Sequence, residues 1–102
     1  MVIELLPNGD LYGHVSTSKE FPQAICRLYF KELCDIIGYL HSNNYCHRDL
    51  KLDNIMLDSE YHLKLCDFGF SVLAQKDEDS LILNSYCGTE LYMAPEISLG
   101  KY

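Results

Sequence analysis

Ile25, Leu28, Tyr29, Leu33, Ile36, Ile37 and Leu40 recur along the chain in steps of three and four. That spacing puts them on one helical face and predicts an amphipathic helix over residues 22–43. About 20 residues would make it near 30 Å long. Pro22 suits a first helical turn, and Ser42-Asn43-Asn44 reads as the stop. Ahead of the helix, residues 1–7 are apolar and extended, and Pro7-Asn8-Gly9-Asp10 is a strong turn signal. Leu11 to Val15 starts a short helix, and Ser16 to Lys19 reads as loop. Beyond the long helix, Ile55-Met56-Leu57 and Tyr61 to Cys66 flank the polar Asp58-Ser59-Glu60, which predicts a hairpin. Gln75 to Ser80 is polar and acidic without burial periodicity, the pattern of an exposed, mobile loop. No internal repeat and no interdomain linker are visible, so the pattern describes an α+β chain, mainly helical with one small hairpin.

Composition narrows the function classes. Eight Lys+Arg against fifteen Asp+Glu leave a net charge of −7, which argues against a nucleic-acid footprint or a polybasic membrane anchor. No apolar run approaches the ~18 residues of a membrane span. The N-terminus has no basic region and meets Glu4 and Pro7 too early for a signal peptide. The five cysteines are odd in number, scattered and never spaced Cys-x-x-Cys, and no second ligand pair lies near His41 and His47. Reduced thiols in a cytoplasmic protein are the plainer reading than a disulfide framework or a zinc site. A chain of 102 residues has room for one modest core, either a small domain or part of a larger one.

The chemistry lies in three short motifs: His47-Arg48-Asp49-Leu50-Lys51-Leu52-Asp53-Asn54, then Asp67-Phe68-Gly69, then Ala94-Pro95-Glu96. Each alone has an ordinary explanation as a polar loop, a turn or a helix start. In this order, with the hairpin between the first two, they make the chain resemble the eukaryotic protein kinases. The resemblance implies a protein-kinase-like fold, of which this is the central part of the large lobe. Residues 1–15 correspond to the hinge and the start of that lobe, 22–43 to its long helix and 47–54 to the catalytic loop. The hairpin follows at 55–66 and the activation segment at 67–96.

Phosphoryl transfer needs an in-line nucleophile, cations on the phosphates and a group that orients the attacking hydroxyl. The resemblance makes Asp49 the base and Lys51 a positive charge on the transferring phosphate. Asn54 and Asp67 become the oxygen ligands of Mg²⁺, a hard cation that needs few protein groups. With ATP as the phosphate donor, Glu4 and Leu6 correspond to the hinge that pairs with adenine, and Ile3 to the gatekeeper. Asp10 falls near the ribose, Met56 under the adenine ring, and Cys66 beside the nucleotide pocket. Ordinary core packing is the competing explanation for Ile3, Met56 and Cys66.

Lys51 and the segment Gly88 to Glu96 resemble the serine/threonine type, with Thr89 reaching toward Asp49 and Lys51. Phe70 leans toward serine acceptors, and Asp10 with Asp53 would form an acidic rim favouring basic residues near the target. Arg48 is the expected partner of a phosphate on the activation segment, with Ser85 at the place where an upstream activating kinase would act. The same resemblance shows what this stretch lacks. It has no Gly-rich phosphate loop, no Val-Ala-Ile-Lys strand, no later large-lobe helices and no arginine for Glu96. The expectation is a kinase-domain excerpt with exposed apolar surface, marginal stability and little catalysis by itself. The alternative is a catalytically inactive kinase-derived fragment serving as an interaction or regulatory module. A small-molecule phosphotransferase is disfavoured by the segment from Thr89 to Glu96. His14 and His62 receive no role.

Overall fold

The computed structural model describes residues 2–18, 20–74 and 86–100. Two α-helices, α1 (Leu11–Thr17) and α2 (Gln23–Ser42), precede a short strand β1 (Tyr45–Cys46). A 3₁₀ turn at Leu52–Asn54 leads into the hairpin β2 (Ile55–Leu57) and β3 (Leu63–Leu65), then β4 (Val72–Leu73). A second 3₁₀ turn (Glu90–Tyr92) and a short helix α3 (Pro95–Ser98) end the described chain. The loop expected at 75–80 and Ser85 lie outside the described residues.

Helix α1 begins where Asp10, in extended conformation, accepts the Gly13 N–H on its carboxylate at 2.7 Å, the usual chemistry of an N-cap. It runs through Ser16 and Thr17, which the sequence reading had placed in a loop. Their hydroxyls donate to the Gly13 carbonyl at 3.1 and 2.8 Å, so they satisfy themselves within the helix instead of competing with it. Helix α2 stops where the Asn43 N–H donates back to the carbonyls of Tyr39 and Leu40, and Asn44 adopts a left-handed φ of 60°. Its apolar stripe is half-buried at Ile25, Tyr29, Leu33, Ile36, Ile37 and Leu40, while Leu28 is half exposed.

The hairpin pairs Ile55 with Leu65, Met56 with Lys64 and Leu57 with Leu63. Strand β3 is shorter than the predicted Tyr61–Cys66, because Tyr61 takes a left-handed φ of 64° and His62 is drawn into the turn. The Asp58 carboxylate accepts both the Glu60 and His62 N–H groups, at 2.9 and 3.0 Å. Strand alternation turns Ile55 and Leu57 to one side. There they meet Leu11 and Leu63 in a small buried core, against which Phe21, Tyr29, Leu33, Ile36, Leu52 and Leu65 pack. The N-terminal turn closes the other edge: the Leu57 N–H donates to the Gly9 carbonyl at 2.9 Å, and the Asn8 side chain to Asp58 O at 2.6 Å.

A second two-stranded sheet joins β1 to β4, with Tyr45 opposite Leu73 and Cys46 opposite Val72. Two-residue strands carry no readable alternation, and the sequence reading contained no such sheet. Cys26, Cys34, Cys46 and Cys66 are free thiols, and among the described residues no helix is long and apolar enough to cross a membrane.

Candidate active site

The segment from Cys46 to Asn54 leaves the β1–β4 sheet and folds under the hairpin. His47, Asp49 and Asn54 are its buried polar residues. The Asp49 carboxylate is the hub. One oxygen accepts the Thr89 hydroxyl at 2.7 Å. The other meets the Lys51 ammonium at 2.8 Å and the Asn54 amide nitrogen at 3.1 Å. Lys51 also donates to the Thr89 hydroxyl at 2.9 Å, which closes a ring of Asp49, Lys51 and Thr89. Lys51 beside it holds the Asp49 carboxyl below the ordinary carboxylate range, against the opposing effect of burial and with help from Thr89 and Asn54. Asp49 in turn raises the Lys51 ammonium above its usual value. Both directions describe one ionised pair, the only charged form that so dry a carboxylate tolerates.

Asn54 aims its amide hydrogens at Asp49, at the carboxylate and at the backbone carbonyl (2.9 Å). That leaves its Oδ1 as an acceptor. The Asn54 carbonyl takes the Cys66 N–H at 2.8 Å, so the two ends of the hairpin are stitched side by side. Asp67 follows directly, exposed, with a left-handed φ of 57° and one carboxylate oxygen on the Gly69 N–H at 3.1 Å.

Three contacts tie His47 and Arg48 to the stretch from Cys66 to Phe70. His47 Nδ1 faces the Asp49 N–H at 3.3 Å, which leaves the ring proton on Nε2, 3.0 Å from the Cys66 carbonyl. The His47 ring also meets Phe68 edge-on at 4.9 Å. Arg48, at a left-handed φ of 68°, donates through Nε to Phe70 O at 2.6 Å. From the other side, Gly88 (φ +110°) lies so close that a Cβ there would be 2.6 Å from the Arg48 carbonyl oxygen. The sequence places Gly88 at the head of the Gly88 to Glu96 segment but does not show this close approach to Arg48.

The residues matched to a nucleotide pocket are less tightly gathered. Asp10 pairs with Met56 as an isolated β-bridge, and its carboxylate caps α1. Glu4 pairs with Lys64 at 3.4 Å, across the hairpin from Met56, and Leu6 is half-buried. Ile3 is 74% exposed within this stretch. Burial, then Glu4 and Asp67, pushes the half-buried Cys66 thiol up. Among the described residues no three His, Cys, Asp or Glu side chains form a metal cage. Asn54 Oδ1 and the Asp67 carboxylate are instead a sparse, hard-oxygen donor set, which fits Mg²⁺ and not zinc.

A family model described as protein kinase domain matches residues 1–102. The chain is 40% identical over 97 residues to CBL-interacting serine/threonine-protein kinase 1 of Arabidopsis thaliana, covering 95% of this chain and 22% of that protein. It is 42% identical over 100 residues to the ovarian-specific serine/threonine-protein kinase Lok of Drosophila melanogaster, covering 95% and 20%. With the human NUAK family SNF1-like kinase 1 the identity is 38% over 101 residues, covering 99% and 15%. The chain thus spans about a fifth or less of the length of these curated relatives. On this match, and with the motifs gathered around Asp49, the chain belongs to the protein kinase domain family.

Proposed function

We propose that this chain carries the catalytic loop and activation segment of a serine/threonine protein kinase, which transfers the γ-phosphate of ATP to a protein Ser or Thr hydroxyl. The observation that carries this reading is the buried, ionised Asp49 held by Lys51, Thr89 and Asn54. A carboxylate fixed on both oxygens is oriented before substrate arrives. Asp49 accepts the hydroxyl proton of the acceptor as its oxygen attacks phosphorus. Its pKa is held low, so it takes that proton late, and its larger task is to aim the oxygen in line. Lys51, bridging Asp49 and Thr89, sets a positive charge where the phosphoryl group passes. Asn54 and Asp67 are the residues that would hold Mg²⁺, which when bound neutralises charge on the phosphate oxygens.

In this reading residues 1–15 are the hinge and α2 is the large lobe's long helix. The backbone groups of Glu4 and Leu6 face adenine, with Met56 beneath it and Asp10 toward the ribose. Arg48 anchors the activation segment through Phe70 O, and phosphorylation of Ser85 by an upstream kinase would give its guanidinium a dianionic partner. Asp49, Asn54 and Asp67 are all intact, which favours catalysis over a passive interaction module.

Asp49→Asn in the full-length protein tests the reading. Turnover should fall about 10²–10⁴-fold while Mg²⁺-dependent ATP binding stays near wild type. Normal turnover in that variant would remove the proposal.

A further inference from the structure

We propose that Glu32 is a positioning residue: it clamps the start of β3 to α2 and thereby sets Asp67 beside Asn54. The inference rests on the kinase reading of that pair. Glu32 lies within α2, and its carboxylate reaches across to the hairpin, 30 residues away in sequence. Oε2 accepts the Leu63 N–H at 2.9 Å and Oε1 faces His62 Nδ1 at 3.0 Å. The Glu32 side chain is only 21% exposed, and Leu63 is a core residue. Placing a carboxylate there has a desolvation cost that only good partners offset. Burial pushes the Glu32 carboxyl up, and the bonds from Leu63 and His62 outweigh it, so the group sits below its ordinary range.

The clamp has a direct route to the site. Leu63 begins β3 and pairs with Leu57, Leu65 pairs with Ile55, and the Cys66 N–H donates to the Asn54 carbonyl. A three-residue strand paired throughout has no slack, so fixing Leu63 against α2 fixes where Cys66 and Asp67 emerge. Other charges flank the clamp without replacing it. Tyr29 and Lys31 lie beside Glu32 on α2. From the turn, Asp58 faces both partners and Glu60 approaches His62 Nε2 at 4.0 Å. Lys64 on β3 faces Asp58.

Amide hydrogen exchange and Mg²⁺ dependence in the full-length protein test this with Glu32→Ala and Glu32→Gln. In Glu32→Ala, exchange should quicken at Leu63 and also at Cys66, and the apparent KM for Mg²⁺ should rise about 10-fold, the scale of a lost outer-shell support. Glu32→Gln keeps an acceptor for the Leu63 N–H and should restore both readouts. If Glu32→Ala does not fold, Glu32→Asp withdraws the carboxylate by one methylene and carries the same expectation. Faster exchange at Leu63 with Cys66 unchanged would overturn the inference, as would an unaltered KM for Mg²⁺. A wild-type protein without ATP-dependent transfer would instead sink the kinase reading, and exchange at Cys66 would still decide the clamp.

Discussion

Replacing Gly88 with alanine asks whether the backbone before Thr89 must sit against Arg48 for Asp49 to play its proposed role. The new Cβ would fall 2.6 Å from the Arg48 carbonyl oxygen, where ordinary contact begins near 3.4 Å. Neither partner can swing away, because the obstacle is backbone and Arg48 is tied to Phe70 O. A φ of +110° adds strain for any residue with a side chain, about 1–3 kcal/mol. The cheapest relief is for the segment to lift, and the next residue is Thr89. Its 2.7 Å bond to Asp49 and its link to Lys51 would stretch or break. A hydrogen bond to a charged group contributes about 1.5–3 kcal/mol, and a ~1 Å misplacement of a reacting group costs on the order of 10²-fold in rate. Steady-state kinetics on the full-length protein should therefore show kcat down roughly 100-fold. The Kd for ATP should hold steady, because the proposed adenine contacts come from Glu4, Leu6 and Met56 and not from Gly88 or Thr89. Gly9→Ala is the control: φ is also positive there (+71°), but a Cβ meets nothing within 4 Å. Gly88→Ala with kcat no lower than the Gly9→Ala control would refute the reasoning.

Stability should depend on pH through the Glu32–His62 pair. Glu32 raises the His62 pKa above its ordinary 6.5, so the pair's contribution is full below the unfolded value and is lost as pH rises through the higher folded one. The denaturant midpoint should then decline as pH rises above the ordinary histidine value of 6.5, and in Glu32→Gln that decline should shrink; an identical slope in both proteins would contradict it. Leu57, 1% exposed at the centre of the core, should cost about 2–5 kcal/mol as Leu57→Ala, read by chemical denaturation; a loss under 1 kcal/mol would mean the site is not packed as described. Ser85→Ala should blunt activation by an upstream kinase, measured as turnover before and after treatment, and unchanged activation would make Ser85 an ordinary loop residue.

What the sequence made legible follows from how far each signal extends along the chain. Helix α2 repeats its apolar spacing from Ile25 to Leu40, about four turns, and the hairpin strands flank a polar turn, so both stood out. The β1–β4 sheet pairs only two residues on each side and joins segments nearly thirty positions apart, leaving no local trace. The left-handed backbones at Arg48 and Asp67 were equally hidden, because arginine rarely takes a positive φ and aspartate, though enriched there, does so only in a minority of cases. Thr89 was reachable through the family resemblance alone, since no local pattern ties position 89 to position 49. Glu32 carries no local signal, and His62, read as part of the second hairpin strand, receives no role from the sequence; their pairing is a product of the packing.

The measurement that bears most directly on the central claim is transfer of label from γ-labelled ATP by the full-length protein in Mg²⁺, followed by amino-acid analysis of the product. The account predicts acid-stable phosphoserine or phosphothreonine on a protein acceptor, lost in Asp49→Asn. Label recovered only as free phosphate or on a small molecule, or transfer indifferent to Asp49, would contradict it.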